Sequence, residues 1–132
     1  MNIGVLDDNV AILDFVRTAL ELSGHRVQTF SSSTSFLAAL LPTHTQKNSM
    51  TPVFPVDLVI VDLIIQGDIP GVEVIQRIRE VATAQQLPII VISATGMEQL
   101  AQVKQRFPGV ILLSKPFSIK TLLHVIEHLS NP

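Results

Sequence analysis

Asp57-Leu58-Val59-Ile60-Val61-Asp62 decides how this chain is read. Four consecutive apolar residues, three of them β-branched, leave no polar face for solvent. The run therefore reads as a strand buried on both sides, as in a parallel sheet covered by helices. A carboxylate ends it, and the loop Gln66-Gly67-Asp68-Ile69-Pro70-Gly71 follows shortly after. Asp62 thus stands where a buried strand emerges at its carboxyl end, the edge at which open α/β sheets carry their chemistry. On this stretch alone a plainer reading is equally open, in which Asp62 only caps the next segment.

Composition narrows the field. With 132 residues the chain can build one sizeable core and not two. Hydrophobic residues make up 47% and charged ones 15%, which excludes a disordered chain and predicts an apolar surface patch. A formal charge of −2 gives no electrostatic basis for nucleic-acid binding. The absence of cysteine rules out disulfides, thiolate nucleophiles and sulfur-ligated zinc. Asp7 and Asp8 interrupt the amino terminus before any signal-peptide-like run, and no apolar stretch nears the roughly 20 residues of a membrane span. The expectation is a soluble, cytoplasmic protein without a membrane partner.

Outward from the central strand, the segments alternate between two periodicities. Ile3, Val5 and Leu6 form a first strand that ends in Asp7-Asp8-Asn9, where Asn9 or Asp8 can cap a helix. That helix buries Ile12, Leu13, Val16, Ala19, Leu20 and Leu22, and Ser23-Gly24 stops it. His25 to Phe30 reads as a second strand, and the serine run 31–33 leads into a short helix over 34–41. Residues 42–56 hold three prolines and no period, an unusually long connection expected at the sheet edge opposite Asp62. Either a surface insertion or a partner-docking loop fits it.

Beyond Asp62, a third helix over 72–84 has Val74, Ile75, Ile78, Val81 and Ala82 as its buried stripe. Pro88-Ile89-Ile90-Val91-Ile92-Ser93 is a second doubly buried strand, this one ending in a hydroxyl. A fourth helix over 97–107, a fifth strand at Val110-Ile111-Leu112-Leu113 and a last helix from about Ser118 complete the chain. Five strand–helix units with right-handed crossovers predict an α/β, doubly wound, five-stranded parallel sheet, and the order 2-1-3-4-5 fits this length.

In that order, the carboxyl ends of neighbouring strands bring together Asp7, Asp8, Asp62, Ser93 and Lys115. Three adjacent carboxylates repel unless a cation intervenes, and a hard divalent ion with oxygen ligands and retained waters, Mg²⁺, suits them. A carboxylate beside such an ion, with Lys and Ser ready for further oxygens, is equipped to accept a phosphoryl group. Asp62 is then the nucleophile.

Leu6-Asp7-Asp8, the Asp57–Asp62 strand, Ser93-Ala94 and Lys115-Pro116-Phe117, in this order and spacing, resemble the receiver domain of bacterial response regulators. That domain is the phospho-acceptor half of two-component signalling. The resemblance covers essentially all of residues 1–132 as one domain and implies the flavodoxin-like receiver fold. It further implies that Asp7, Asp8 and Asp62 hold Mg²⁺, and that Asp62 takes the phosphoryl group from a histidine kinase or phosphotransfer protein. Ser93 would turn its hydroxyl onto the phosphate, Lys115 would pair with it, and Pro116 would follow a cis peptide. The fourth helix, fifth strand and last helix, including Met97, Leu100, Val103, Ile119 and Leu122, are the implied face for a downstream partner or a homodimer.

Three departures accompany the resemblance. The loop after Asp62 is one residue longer, so that Gly71 stands late. Ile64, two residues past the acceptor, is apolar where many relatives are polar, although its backbone carbonyl remains available to the metal. Leu112 replaces the aromatic that usually reads out activation. Ile64 and Thr95 become candidates for setting the lifetime of the phosphorylated state, with Ile64 expected to prolong it. His124 and His128 read as a solvated helix face, and Arg77 and Arg79 as polar-face residues of the third helix.

Other classes fit less well. A flavin or dinucleotide binder needs a Gly- or hydroxyl-rich loop after the first strand, and two acids stand there. A phosphatase or phosphomutase wants a second acid at the position of Ile64. The remaining alternative is a receiver-like interaction module that is never phosphorylated.

Overall fold

The computed structural model describes residues 1–41 and 54–130. Most of the 42–56 connection lies outside the described residues; of its last residues Phe54 packs on the core and Val56 is buried.

The fold is organised by two strands with no solvent-facing position. β3 (Leu58–Asp62) and β4 (Ile89–Ser93) are buried at every residue. Their β-branched side chains alternate between the two faces of the sheet. Val59, Val61, Ile89 and Val91 face one core, and Leu58, Ile60, Ile90 and Ile92 the other. β1 (Asn2–Leu6), β2 (Arg26–Phe30) and β5 (Ile111–Ser114) complete a parallel sheet in the order β2-β1-β3-β4-β5, as the sequence predicts.

Helices α1 (Val10–Leu22) and α5 (Ile119–Ser130) cover one face, through Leu13, Val16, Leu20, Leu122 and Ile126. The other is covered by α2 (Ser33–Leu40), α3 (Gly71–Val81) and α4 (Met97–Arg106), through Phe36, Leu40, Val74, Ile75, Ile78, Leu100 and Val103. Each such side chain, moved fully from water, contributes about 1.5–3 kcal/mol. The strand order reverses between β1 and β3, and the functional edge lies there.

Helix ends differ from the sequence reading in instructive ways. α3 stops at Val81, three residues short of the expected end, because Ala82 turns to an extended backbone. The Thr83 amide bonds the Gln86 side chain and the Gln86 amide bonds the Thr83 hydroxyl, so a local turn replaces the helix. Arg79 is not a solvated residue. Its Nη1 donates to the carbonyls of Ala82 and Thr83 at 3.4 Å each and of Leu87 at 2.8 Å, closing the end of α3. Burial lowers its pKa. Arg77 does lie on the exposed face, beside Glu73. Period alone places Val81 and Leu22 on buried stripes, but both end their helices and are exposed, Leu22 at 84%. His124 and His128 are exposed, as expected.

The face expected from α4, β5 and α5 also needs correcting. Leu100, Val103 and Leu122 are buried against the sheet and cannot meet a partner, whereas Met97 is 86% exposed. On α5 the outward groove is made by Ile119, Lys120, Leu123 and His124 with their neighbours.

Candidate phosphoryl-acceptor site

At the reversal point, β1 and β3 lead into carboxylates that lie within a few ångströms of one another. Asp7 follows β1 and is fully buried, held by the Asn9 amide on Oδ1 at 2.9 Å. Asp8 is exposed, and its Oδ2 accepts from the Gln66 amide at 3.2 Å. Asp62 ends β3 at 4% exposure, with Oδ1 accepting from the Ile64 amide at 3.2 Å. The three residues each bring a carboxylate oxygen within 4.8 Å of the others.

Lys115, just past β5, projects into this group. Its Nζ donates to Asp7 Oδ2 at 3.0 Å and to Asp62 Oδ2 at 3.1 Å. Its backbone amide donates to the Ser93 carbonyl at 2.8 Å, which anchors the loop to β4. The Lys115–Pro116 peptide is cis. Burial pulls the lysine pKa down, but the hydrogen bonds to Asp7 and Asp62 outweigh it and hold the ammonium above its usual value.

Asp62 is shifted the other way from a well-compensated carboxylate. Burial, and then the Asp7 charge, push its pKa up, against the Ile64 amide and Lys115, which pull it down. One ammonium against three carboxylates leaves two negative charges, so Lys115 does not neutralise the group. An all-oxygen donor set with a net deficit of two charges and one ligand open to water fits a hydrated divalent cation.

Ser93 ends β4 fully buried, but its hydroxyl is engaged within its own loop. It donates to Thr95 Oγ1 at 2.9 Å and accepts from the Thr95 amide at 3.1 Å. Ile64, 48% exposed, and Thr95 line one cavity of about 420 Å³ with Val72, Gln99, Val103 and Phe107. Leu112 lies outside the site. It is half-buried on β5, packed against the core under α3 and α4.

Two contributors escaped the sequence reading. Gln66 acts through its backbone amide on Asp8, which no side-chain pattern reveals. Gly71 stands out in the sequence only for its late position. A Cβ there would stand 2.4 Å from the Asp62 carbonyl oxygen and 2.5 Å from that of Leu63, so only glycine lets α3 start against the acceptor strand.

Comparison with known proteins agrees with this geometry. Over residues 3–127 the chain matches the family described as response regulator receiver domain. It is 32% identical over 124 residues to the nisin biosynthesis regulatory protein NisR of Lactococcus lactis subsp. lactis, covering 93% of this chain and 47% of that protein. The chain thus spans about half the length of that curated relative. Among solved structures, NtrX from Brucella abortus superposes with a TM-score of 0.76 at 27% identity, over 97% of this chain and 26% of that one. A response regulator receiver domain protein from Clostridium thermocellum gives 0.75 at 25%, over 98% and 94%. The HemR receiver domain from Leptospira biflexa gives 0.79 at 18%, over 99% and 94%, a likeness of fold. Because the family match runs through nearly every element described above, the chain belongs to the response regulator receiver domains, a family of signalling domains in two-component systems.

Proposed function

We propose that this chain is a phosphorylation-driven switch in which Asp62 accepts a phosphoryl group from a phosphohistidine of a histidine kinase or phosphotransfer protein. One observation carries the reading: Lys115 bridges Asp7 and Asp62 while the three carboxylates remain under-neutralised. Asp7, Asp8 and Asp62, with the Ile64 backbone carbonyl, would hold Mg²⁺, which when bound supplies charge neutralisation for the transferring oxygens.

A carboxylate oxygen of Asp62 attacks phosphorus as the P–N bond breaks, and the electron pair returns to the imidazole nitrogen. Lys115 stays with Asp62 and pairs with a phosphoryl oxygen, and the Ile64 amide steadies the other carboxylate oxygen. Ser93 leaves Thr95 and donates to the phosphoryl group, which redraws the loop at 93–97 leading into α4. With Leu112 in place of an aromatic, the outward signal is loop and helix movement rather than a ring swinging between two positions.

The donor face is the largely apolar surface beside Lys115 formed by Ile12, Phe15, Pro116 and Phe117. The downstream partner, or a second copy, meets α4, β5 and α5 on their outward residues. This reading takes residues 1–132 as one receiver domain in the cytoplasm. Among the described residues, no helix is long and apolar enough to cross a membrane.

Incubation with acetyl phosphate and Mg²⁺ tests the reading. Wild type should acquire a hydroxylamine-sensitive phosphoryl group only when the cation is present, and Asp8→Ala should need far more cation for the same labelling. An unlabelled wild type would leave a receiver-like interaction module that works without phosphorylation.

A further inference from the structure

The serine run at 31–33 and the acid at 68 have no part in the chemistry above, yet they meet. Asp68 Oδ2 accepts from Ser32 Oγ at 2.8 Å, and Oδ1 accepts from Thr34 Oγ1 and from the Ile69 amide, each at 2.8 Å. Beside them, the fully buried Ser33 donates its hydroxyl to the Ile69 carbonyl at 2.7 Å. Three of these four bonds join the start of α2 to the loop leaving Asp62, across 34 to 36 residues of sequence.

From these contacts we infer that Asp68 is a positioning residue for the acceptor site, fixing to α2 the loop whose amides hold Asp62 and Asp8. The inference rests on the phosphoryl-acceptor reading. The loop touches the site at two places: the Ile64 amide on Asp62 and the Gln66 amide on Asp8. It then turns at Gly67, whose φ of +72° only glycine adopts without strain, and is caught at once by the Asp68 clasp. Gly71, with its amide on the Leu63 carbonyl at 3.1 Å, secures the far end. The segment 64–67 is therefore held from both sides.

Capping of α2 explains only part of the clasp. Ser32 already caps that helix, accepting from the Ser35 amide at 3.3 Å while its own proton goes to Asp68. Losing the carboxylate leaves this Ser32 cap in place; it frees the loop and removes a weaker contact with the Thr34 amide in the first turn of α2. Buried Ser33 gives the arrangement a firm base, because its hydroxyl has no water to turn to once Ile69 moves. The Asp68 carboxyl is held at about 2 by the Ile69 amide and then the two hydroxyls, so it is charged, and its bonds charge-assisted, across the whole working range.

The test uses Asp68→Ala, Asp68→Asn and Thr34→Val in the full chain, followed by NMR and by acetyl phosphate labelling. Without added Mg²⁺, the Ile64 and Gln66 amide signals should shift in Asp68→Ala while those of α5 stay fixed. Half-saturation by Mg²⁺, read from the same signals, should rise severalfold, less than the roughly tenfold or more that follows loss of a group bonded directly to a metal ligand. The labelling rate at saturating Mg²⁺ should stay within about twofold of wild type if positioning, not chemistry, is what was lost. Asp68→Asn, whose side-chain oxygen still accepts, should recover most of the affinity, and Thr34→Val should show a smaller shift of the same sign. Unchanged Ile64 and Gln66 amides in a folded Asp68→Ala, or an Asn variant no better than Ala, would overturn the inference. A wild type that neither binds Mg²⁺ nor takes label would defeat the acceptor reading instead, and the clasp would then be judged on the amide shifts alone.

Discussion

Gly71→Ala is the most informative single-atom perturbation of the fold around Asp62. The added methyl would stand 2.4 Å from the Asp62 carbonyl oxygen, 2.5 Å from the Leu63 oxygen and 2.7 Å from the Leu63 carbon, all backbone atoms. Ordinary van der Waals contact begins near 3.4 Å, so about 1 Å must be found (3.4 − 2.4). β3 cannot supply it, being bonded on both sides to β1 and β4. The start of α3 and the loop before it must move, and the Gly71 amide must slacken from the Leu63 carbonyl. Overpacking of this kind costs about 1–3 kcal/mol, with the upper half expected because no flexible side chain can yield. The same displacement reaches the Ile64 and Gln66 amides, and misplacement by about 1 Å can cost on the order of 10²-fold in rate. Urea unfolding and the initial rate of acetyl phosphate labelling measure the two effects separately. Stability within about 0.5 kcal/mol of wild type together with labelling within about twofold would refute the steric reasoning.

Three further outcomes follow from other parts of the site. Ile64, whose amide bonds Asp62, is half-exposed and has an apolar side chain that cannot orient an attacking water, so Ile64→Asn should speed loss of the phosphoryl group severalfold, about 1 kcal/mol in barrier; an unchanged rate of dephosphorylation at the same Mg²⁺ affinity would remove Ile64 from that role. Thr95→Val keeps the shape but deletes the acceptor of the Ser93 proton, so Ser93 should be released toward the phosphoryl group and the phosphorylated arrangement of residues 93–97 favoured by about 1 kcal/mol, read as an NMR population shift; wild-type populations in this variant would show that the hydroxyl pair is no latch. Asp68 titrates at about 2 in the fold against 3.8 ordinarily, so the unfolded chain binds the extra proton first; its stabilisation is complete above about pH 4 and is lost as pH falls through about 2, and Asp68→Asn should flatten that part of the acid-unfolding curve.

The parts of this molecule that were legible in its sequence are those set by runs of like residues. Val59-Ile60-Val61 and Ile89-Ile90-Val91-Ile92 admit only strands covered on both faces, and with five strand–helix alternations the order 2-1-3-4-5 follows. Placing Asp7, Asp62, Ser93 and Lys115 at strand ends then brings them to one edge without any knowledge of side-chain contacts. Periodicity misled at helix ends, where Val81 and Leu22 keep the spacing of a buried stripe after the sheet beneath has ended. It could not distinguish Arg77 from Arg79, since the carbonyls that capture Arg79 come from a turn beyond the helix. The direction of the Ser93 hydroxyl, the Gln66 amide on Asp8 and the Asp68 clasp were beyond reach for the same reason. The last two join segments 58 and 36 residues apart, which no sequence spacing relates, and the first depends on which of several partners a hydroxyl rotates toward.

Asp62 as the phosphoryl acceptor is the claim on which the rest depends. Wild type and Asp62→Asn, treated alike with acetyl phosphate and Mg²⁺, test it directly when the modified residue is mapped by mass spectrometry of peptides. A single hydroxylamine-sensitive phosphoryl group on Asp62 in wild type, absent from a folded Asp62→Asn, is the predicted result. Undiminished label on the Asn variant, or wild-type label mapping to Asp7, Asp8 or another residue, would contradict it.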